Sequence, residues 1–404
     1  MYGLIGKPLG HSFSPLLHKM LWGCDYELFP MEEGEVRAFF AARAFDGVNV
    51  TIPYKELALT LCDEVDDRAA RIGAVNTVVK KGNRLMGYNT DFDGLSYLAS
   101  RAGISFAGRK AVIFGSGGTA KTATAVAKDG GAREIVIVSR RGENNYDNLV
   151  RHYDAEVLVN ATPLGMAPNV DAMPADPARF PGCIGVIDVV YNPLVTRFVS
   201  RAAELGIAAT AGLPMLAAQA AHAAELFSGK SIGEDAIERC AAAVDRLQRN
   251  IVLIGMPGSG KTTVGKRVAQ LLGRPFLDLD ADIEAAAGMP IPEYFATFGE
   301  PAFRELEAGR MAAAGLLHGA VIACGGGTPL RTENRLAMRQ NGRVCHLVRD
   351  ISALPKDGRP LSQKGSLEEM WEARRAFYEA AADVTVDARG GADEAARLIA
   401  KEWM

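Results

Sequence analysis

The sequence lacks the clustered cysteines and histidines that a disulfide framework or a zinc site requires. Its six cysteines are scattered without a C-x-x-C pair, and its six histidines show no H-x₃₋₅-H spacing. Small disulfide-bonded secreted domains and structural zinc sites depend on such clustering. The cysteines are therefore predicted to be free thiols in a reducing compartment, which indicates a cytoplasmic protein.

The sequence also has little net charge and no long apolar run. Its 45 basic residues nearly balance 48 acidic ones, for a net charge of −3. Such a balance indicates neither a nucleic-acid-binding surface nor an acidic tail. The N-terminus resembles no signal peptide, and no apolar stretch is long enough to span a bilayer. We expect small-molecule ligands rather than nucleic acid or membrane, and the oligomeric state stays open.

Short β-branched apolar runs alternate with amphipathic helical stretches along the whole chain. Examples of such runs are residues 111–114, 134–138 and 185–188. This alternation predicts an α/β protein with parallel sheets and crossover helices. At 404 residues and 48% hydrophobic content, the chain is expected to form two or three domains.

A complete P-loop motif lies in the second half of the chain. Residues 255–262 read Gly-Met-Pro-Gly-Ser-Gly-Lys-Thr, after the apolar run 251–254 and before a helical pattern. This context is what G-x-x-x-x-G-K-[ST] needs, with backbone N–H groups around the phosphates, Lys261 on the β and γ phosphates and Thr262 on Mg²⁺. The predicted ATP contacts are Gly258, Ser259, Gly260, Lys261, Thr262 and Thr263.

A second glycine-rich loop, of different design, follows the strand that ends at Phe114. Its pattern is G-x-G-G rather than G-x-G-x-x-G, so a turn without a ligand is the alternative. The next strand ends in Ser139-Arg140-Arg141, where arginine suits a 2′-phosphate and favours NADP over NAD; simple solvated charges are the alternative. The predicted cofactor contacts are Gly115, Gly117, Gly118, Thr119, Ala120, Ser139 and Arg140.

Polar motifs at strand ends give the first half of the chain a family resemblance. The motifs are residues 6–15, 47–55, 73–77, 87–91, 160–166, 188–193 and 212–220. With them the chain resembles shikimate dehydrogenase over about residues 2–245. The resemblance implies a two-lobed unit, with an α/β substrate domain over 1–95 completed by 212–247, and a Rossmann-like NADP domain over 96–211.

The resemblance also implies roles for side chains in a reaction that reduces a ring ketone with NADPH. Such a reduction needs a proton source at the developing alkoxide. Lys55 and Asp91 match the family's catalytic pair, although the owner of the proton stays open. The substrate contacts implied by the match are Ser12, Ser14 and Tyr191 for the carboxylate and Thr51, Asn76 and Gln219 for the ring hydroxyls. For single residues among these, a turn or cap role is the alternative. The segment 142–159 is shorter than in the family, so the cofactor domain is expected to be trimmed.

The C-terminal part resembles shikimate kinase from about residue 249 onwards. Beyond the P-loop, the matching segments are 276–280, 299–307, 320–327, 358–361 and 374–378. The match implies a P-loop domain over 248–404 with a five-stranded parallel sheet. Two carboxylates at the end of one strand, Asp278 and Asp280, are expected to point the same way.

The resemblance to shikimate kinase implies which side chains would bind the metal ion, the acceptor and the transferring phosphoryl group. Asp278, with Thr262, would serve Mg²⁺, and Asp280 would hold or deprotonate the acceptor hydroxyl. Arg359 would neutralise the transferring phosphoryl group from a lid. The implied acceptor contacts are Arg304, Gly325, Gly326, Gly327 and Arg374. The segment 348–358 is shortened, and an arginine that stacks on adenine has no counterpart.

The hypothesis that follows is a bifunctional enzyme of the shikimate pathway. It would reduce 3-dehydroshikimate to shikimate with NADPH and then phosphorylate shikimate with ATP and Mg²⁺. Two alternatives are quinate as a dehydrogenase substrate and a non-catalytic metabolite sensor. The presence of Lys55, Asp91, Lys261, Asp278 and Asp280 favours catalysis over sensing, because a sensor does not need them.

Overall fold

A computed structural model describes residues 1–9, 12–354 and 366–403. Their contacts divide the chain into two compact units, Met1–Val244 and Asp245–Met404. The predicted α/β fold class is confirmed. The predicted boundaries at residues 95, 211 and 247 stay predictions.

The N-terminal unit begins with a mixed sheet in the order β2-β1-β3-β5-β6-β4. Its strands are β1 Tyr2–Gly6, β2 Tyr26–Pro30, β3 Gly47–Val50, β4 Glu64–Val65, β5 Thr77–Lys81 and β6 Arg84–Tyr88. The helices along this stretch are α1 Ser14–Trp22, α2 Glu33–Ala42, α3 Lys55–Leu61, α4 Asp67–Ile72 and α5 Asp91–Arg101. Strand β5 is antiparallel to β3 and β6, so this sheet is mixed and the expectation of a parallel sheet was wrong here. A short turn at Gly82 joins β5 and β6 as a hairpin.

The second sheet of this unit is parallel, in the order β11-β10-β9-β7-β8. Its strands are β7 Lys110–Phe114, β8 Glu134–Val138, β9 Val157–Asn160, β10 Gly185–Asp188 and β11 Ala208–Thr210, with helices α6 Gly118–Asp129 and α7 Arg197–Glu204. Between β8 and β9 the chain forms only a 3₁₀ turn, Leu149–His152. Because no further strand lies between β8 and β9 in the chain to pair with the free side of β8, β8 is an edge strand of this sheet.

Two helices that follow the second sheet return to the elements of the first. They are α8 Leu213–Ser228 and α9 Glu234–Gln248. Helix α8 packs closely on α5, and a Cβ at Gly94 would lie 2.8 Å from the carbonyl oxygen of Met215. Arg101 Nε donates to Glu238 Oε1 at 2.6 Å. These contacts fix α5, the helix that begins at Asp91.

The C-terminal unit has a five-stranded parallel sheet in the order β13-β14-β12-β15-β16, as predicted. Its strands are β12 Asn250–Ile254, β13 Phe276–Asp278, β14 Val321–Ala323, β15 Gly342–Val348 and β16 Val384–Asp387. Its helices are α10 Lys261–Leu272, α11 Leu279–Ala287, α12 Ile291–Gly315, α13 Thr332–Asn341, α14 Leu367–Ala381 and α15 Ala392–Lys401. Helix α12 is kinked at Gly299, where φ is 80° and Pro301 follows.

Candidate active sites

A cavity of about 320 Å³ lies at the ends of strands of the first sheet, and residues of α6 and of the segment after β10 also line it. Its walls combine residues from the ends of β1 and β3 with residues from α3, α5 and α8. All eight side chains assigned above to substrate binding and proton transfer line it: Ser12, Ser14, Thr51, Lys55, Asn76, Asp91, Tyr191 and Gln219. Residues far apart in sequence are therefore brought to one polar cavity.

The cavity contains a buried ion pair at the start of two helices. Lys55 Nζ lies 2.5 Å from Asp91 Oδ2, and the two side chains are 14% and 10% exposed. Lys55 is the first residue of α3 and Asp91 the first of α5. A carboxylate at a helix N-terminus is stabilised by the helix dipole. The pair therefore places an ammonium and a carboxylate together in a site that excludes most water.

A buried hydrogen-bond network stands behind the cavity wall. Asn76 Oδ1 accepts from the backbone N–H of Thr90 at 2.7 Å, and Asn76 Nδ2 donates to Thr90 Oγ1 at 3.1 Å. Asn49, which also lines the cavity, donates to Thr77 Oγ1 and accepts from Tyr26 Oη at 2.6 Å. These bonds hold the two asparagine side chains in one orientation.

A larger cavity of about 850 Å³ adjoins the first at the glycine-rich loop. Both cavities are lined by Ile52, Lys55 and Thr119. Gly115 has φ of 119°, and a Cβ there would lie 2.8 Å from the carbonyl oxygen of Ala161. A Cβ at Gly117 would meet only open space. The loop therefore leaves room for a phosphate group beside the N-terminus of α6.

The far end of this second cavity is formed by Ser139 and Arg140 together with Tyr146. Gly115, Gly117, Gly118 and Thr119 line it as well. Ala120 does not, because its side chain is buried in the core under α6. The residues fit a dinucleotide whose pyrophosphate meets the loop and whose ribose lies near Arg140.

In the C-terminal unit, the P-loop joins β12 to α10. Gly258 and Gly260 have φ of 85° and 94°, which glycine adopts without strain. Lys261 is 8% exposed, and its Nζ donates to the carbonyl oxygens of Gly255 and Met256 at 2.9 and 3.0 Å. Thr262 Oγ1 donates to Asp278 Oδ2 at 2.7 Å. A hydroxyl and a carboxylate thus lie together where Mg²⁺ would be held.

Asp278 and Asp280 do not lie on one extended strand, contrary to expectation. Strand β13 ends at Asp278, and Asp280 lies in the first turn of α11. Asp278 Oδ1 caps this helix by accepting from the backbone N–H groups of Asp280 and Ala281. Burial raises the pKa of Asp280 to about 6, and the positive charge of Lys261 opposes this shift.

Gly325, Gly326 and Gly327 allow three groups to approach the end of β14. A Cβ at Gly325 would lie 2.6 Å from Asp280 Oδ1, and one at Gly326 would lie 2.7 Å from the ring of Pro257 in the P-loop. A Cβ at Gly327 would lie 2.5 Å from Arg304 Nη1. Because these three consecutive residues have no side chains, Asp280, the P-loop and Arg304 can each approach the backbone that follows β14.

The two arginines predicted to clamp the acceptor differ in their partners. Arg304 Nη1 donates to Glu307 Oε2 at 2.8 Å, and Arg304 Nη2 donates to Glu300 Oε1 at 3.1 Å. Arg374 Nη1 donates to the carbonyl oxygen of Gly326 at 3.3 Å. Arg359 lies outside the described residues.

Several residues of these sites were missed by sequence reasoning. Glu300 and Glu307 lie four residues before and three after Arg304, a helical spacing that could have indicated the pairing. Tyr378 Oη donates to the carbonyl oxygen of Gly326 at 2.6 Å. Asn49 lies in the motif 47–55 and lines the first cavity, although the sequence alone assigned it no role. In the ranges 1–9, 12–354 and 366–403 no group of three or more His, Cys, Asp or Glu residues could hold a metal, and no helix could cross a membrane.

Comparisons with known proteins agree with this division of the chain. A family model of the shikimate dehydrogenase substrate-binding domain matches residues 4–78, and a shikimate kinase model matches residues 257–403. A shikimate dehydrogenase (NADP(+)) of Clostridium perfringens is 33% identical over 263 residues, which cover 59% of this chain and 97% of that protein. The corresponding enzyme of Halothermothrix orenii is 37% identical over 268 residues, covering 56% of this chain and 90% of that protein.

Solved structures of shikimate dehydrogenases are also similar to part of this chain. Shikimate 5-dehydrogenase from Thermus thermophilus, solved with NADP(H) and shikimate, has a TM-score of 0.55 and 33% identity, covering 60% of this chain and 98% of that one. A chorismate mutase/shikimate 5-dehydrogenase fusion protein from Clostridium acetobutylicum has a TM-score of 0.57 and 32% identity, covering 60% and 96%.

The fold and the sites thus define an oxidoreductase unit with a dinucleotide cavity, followed by a P-loop kinase unit. The chain belongs to the shikimate dehydrogenase family and carries a C-terminal shikimate kinase domain. It is a bifunctional enzyme of the shikimate pathway.

Proposed function

We propose that the N-terminal unit reduces 3-dehydroshikimate to shikimate and that the C-terminal unit phosphorylates the 3-hydroxyl of shikimate. The observation that carries this proposal is the 320 Å³ cavity, in which the eight assigned side chains converge and which meets the dinucleotide cavity at Lys55 and Thr119. When bound, NADPH supplies the hydride and Mg²⁺-ATP supplies the phosphoryl group. The names of the relatives support NADP as the dinucleotide.

In the first reaction, residues of the chain bind the substrate ring and donate one proton to it. The Lys55–Asp91 pair holds the proton that goes to the carbonyl oxygen when that oxygen becomes a hydroxyl. The substrate carboxylate would be bound by hydroxyl donors. Ser12 and Ser14 can supply two of them side by side, because their Oγ atoms lie 3.2 Å apart. Burial raises the pKa of Tyr191, so its hydroxyl stays protonated and can donate as well.

In the second reaction, the residues of the C-terminal unit align an acceptor hydroxyl with the phosphates. Asp280 lies beside Gly325 and accepts the hydroxyl proton. Arg304 and Arg374, which approach Gly327 and Gly326 respectively, bind the acceptor carboxylate. Lys261 and the P-loop N–H groups stabilise the charge on the phosphates.

The two reactions are linked by the atom on which they act. The hydroxyl that the first reaction makes from the 3-keto group is the one that the second reaction phosphorylates. The kinase unit should therefore have no acceptor at that position until reduction has occurred. This dependence gives the proposal an internal control.

A coupled assay tests the proposal. With 3-dehydroshikimate, NADPH and ATP-Mg²⁺, we expect NADPH oxidation and ADP release, and phosphorus NMR should locate the phosphate on the 3-oxygen. Leaving out NADPH should abolish ADP release, and adding shikimate should restore it. ADP release from 3-dehydroshikimate alone would contradict the proposed order. Faster turnover of quinate than of shikimate in the reverse direction would favour the alternative substrate.

A further inference from the structure

A buried carboxylate that the proposed mechanism does not use lies at the end of β10. Asp188 is the last residue of that strand and is 0% exposed. Beside it lies Asn160, the last residue of β9, which is 0% exposed as well. Both lie in motifs that carry the family resemblance, 160–166 and 188–193, yet neither was given a role. Buried carboxylates and amides are costly unless hydrogen bonds satisfy them, so the partners of this pair show which segments it holds.

Asp188 joins three segments of the chain through its two carboxylate oxygens. Its Oδ1 accepts from Asn160 Nδ2 at 2.9 Å and from the backbone N–H of Val190 at 3.0 Å. Its Oδ2 accepts from Thr196 Oγ1 at 2.6 Å, and this hydroxyl caps helix α7. Burial raises the pKa of Asp188 to about 7, and the three hydrogen bonds oppose this shift. One oxygen therefore binds the loops that follow β9 and β10, and the other binds the start of α7.

Asn160 extends this network into the loop that follows β9. Its Oδ1 accepts from the backbone N–H and from the hydroxyl of Thr162, at 3.1 and 2.6 Å. Its Nδ2 donates to the carbonyl oxygen of Leu164 at 3.0 Å as well as to Asp188. Thr162 and Leu164 line the dinucleotide cavity. The strand order of the second sheet changes direction between β7 and β9, and dinucleotides bind parallel sheets at such a point. The loop that Asn160 holds is therefore part of the wall that a dinucleotide would contact.

The segment after β10 extends the same network to the substrate cavity. Val189 and Tyr191, which flank the bonded N–H group of Val190, both line that cavity. The carbonyl oxygen of Val190 accepts from the backbone N–H of Gly212 at 2.9 Å, just before α8 begins. Asp188 is therefore connected by hydrogen bonds to the walls of both cavities.

We propose that Asp188 is a positioning residue for the reduction, because it holds the loop 161–164 and the segment 189–191 in one relative arrangement. The inference rests on the proposed dehydrogenase function. A hydride donor and a ketone react only when they are held about 3 to 3.5 Å apart in one orientation. A shift of either wall by about 1 Å would lower the rate without destroying either cavity. Asp188 is not among the described residues that line the two cavities, so it acts through Asn160 and Val190.

The test compares four variants of the full chain. D188A and N160S break the bond between the two loops, whereas D188N keeps an oxygen that can accept from Asn160 and Val190. T196V is the matched control, because it removes only the bond on the α7 side. Calorimetric titration with NADP⁺ gives a dissociation constant and a stoichiometry, and the stoichiometry measures the folded fraction. Initial rates give kcat and KM for the reduction of 3-dehydroshikimate.

We expect D188A and N160S to raise the dissociation constant of NADP⁺ by about 10-fold and to lower kcat/KM by roughly 10- to 100-fold. D188N should stay within about threefold of the unmodified chain in both quantities, because the hydrogen-bonded arrangement is kept. T196V should lower the urea midpoint of unfolding and leave both quantities unchanged. Phosphorylation of shikimate should be the same in all four variants.

Three results would overturn the proposal. In the first, D188A and N160S have a lower stoichiometry but unchanged constants, so the network only stabilises the fold. In the second, T196V is as impaired as N160S, and in the third, D188N is as impaired as D188A. If D188A does not fold, N160S, D188N and T196V decide the matter. Binding of NADP⁺ by the unmodified chain without reduction of 3-dehydroshikimate would reject the proposed function, and the titrations would still decide whether Asp188 shapes the dinucleotide cavity.

Discussion

His18 should make the N-terminal unit lose stability as the pH falls below the ordinary range of histidine. Its ring is 1% exposed, and Nδ1 accepts a hydrogen bond from Trp22 Nε1 at 3.1 Å. The ring also stacks on Tyr26, with centroids 4.1 Å apart. Burial lowers the pKa of His18 to about 4, from 6.5 in the unfolded chain. An imidazolium would lose both the Trp22 bond and its solvation.

The direction and size of this change in the free energy of unfolding follow from the linkage between proton binding and folding. Above pH 6.5 His18 is neutral in both states, so its contribution to the free energy of unfolding is fully present. As the pH falls from 6.5 towards 4, the unfolded chain binds the proton first and the contribution is lost. A pKa lowered from 6.5 to about 4 corresponds to about 3 kcal/mol, most of which should be lost by about pH 4.5.

Urea unfolding followed by tryptophan fluorescence measures this loss. The chain has three tryptophans, so W371F and W403F leave Trp22 as the only reporter. Carboxylates titrate in the same range, and H18F in this background corrects for them because phenylalanine cannot take up a proton. Between about pH 7.5 and 4.5 the parent should lose roughly 2 to 3 kcal/mol more than H18F. Parallel pH profiles for the two proteins would refute the argument.

Three further predictions concern the active sites. K55A should lower the rate of NADPH-linked reduction by roughly 10²- to 10⁴-fold and leave shikimate phosphorylation unchanged, as measured in separate assays. K261A should do the opposite, with phosphorylation falling by roughly 10²-fold or more; loss of both activities in either variant would contradict independent sites. R140S should raise KM for NADPH about tenfold, with KM for NADH nearly unchanged, because the proposed charged hydrogen bond from Arg140 to the 2′-phosphate would be lost. Equal KM changes for the two cofactors would exclude that contact.

The sequence predicts the parts of these sites that depend on local motifs. The P-loop, the glycine-rich loop and the order of strands and helices follow from glycine spacing and from hydrophobic periodicity, which act over a few residues. Gly325, Gly326 and Gly327, in contrast, were assigned to the acceptor only through the resemblance to shikimate kinase, and that assignment stays a prediction.

Two kinds of feature could not be predicted in this way: local competition between continuing a strand and forming a cap or turn, and contacts between distant segments. Asp280 lies on a helix because Asp278 caps that helix instead of continuing the strand. The bond from Tyr26 to Asn49 joins residues 23 positions apart, and no periodic pattern encodes it. The antiparallel β5 depends on a hairpin turn that the alternation of strands and helices concealed.

The carboxylates beside Arg304 have a consequence for how the kinase unit responds to ionic strength. Because Glu300 and Glu307 already neutralise this guanidinium, an arriving anion exchanges one carboxylate for another instead of meeting a bare cation. Screening by added salt weakens the old pairing and the new one alike. Binding of an acceptor carboxylate to Arg304 should therefore depend less on salt than binding to an arginine that has no carboxylate partner. The shape of the site would then contribute more than its charge to the choice of ligand.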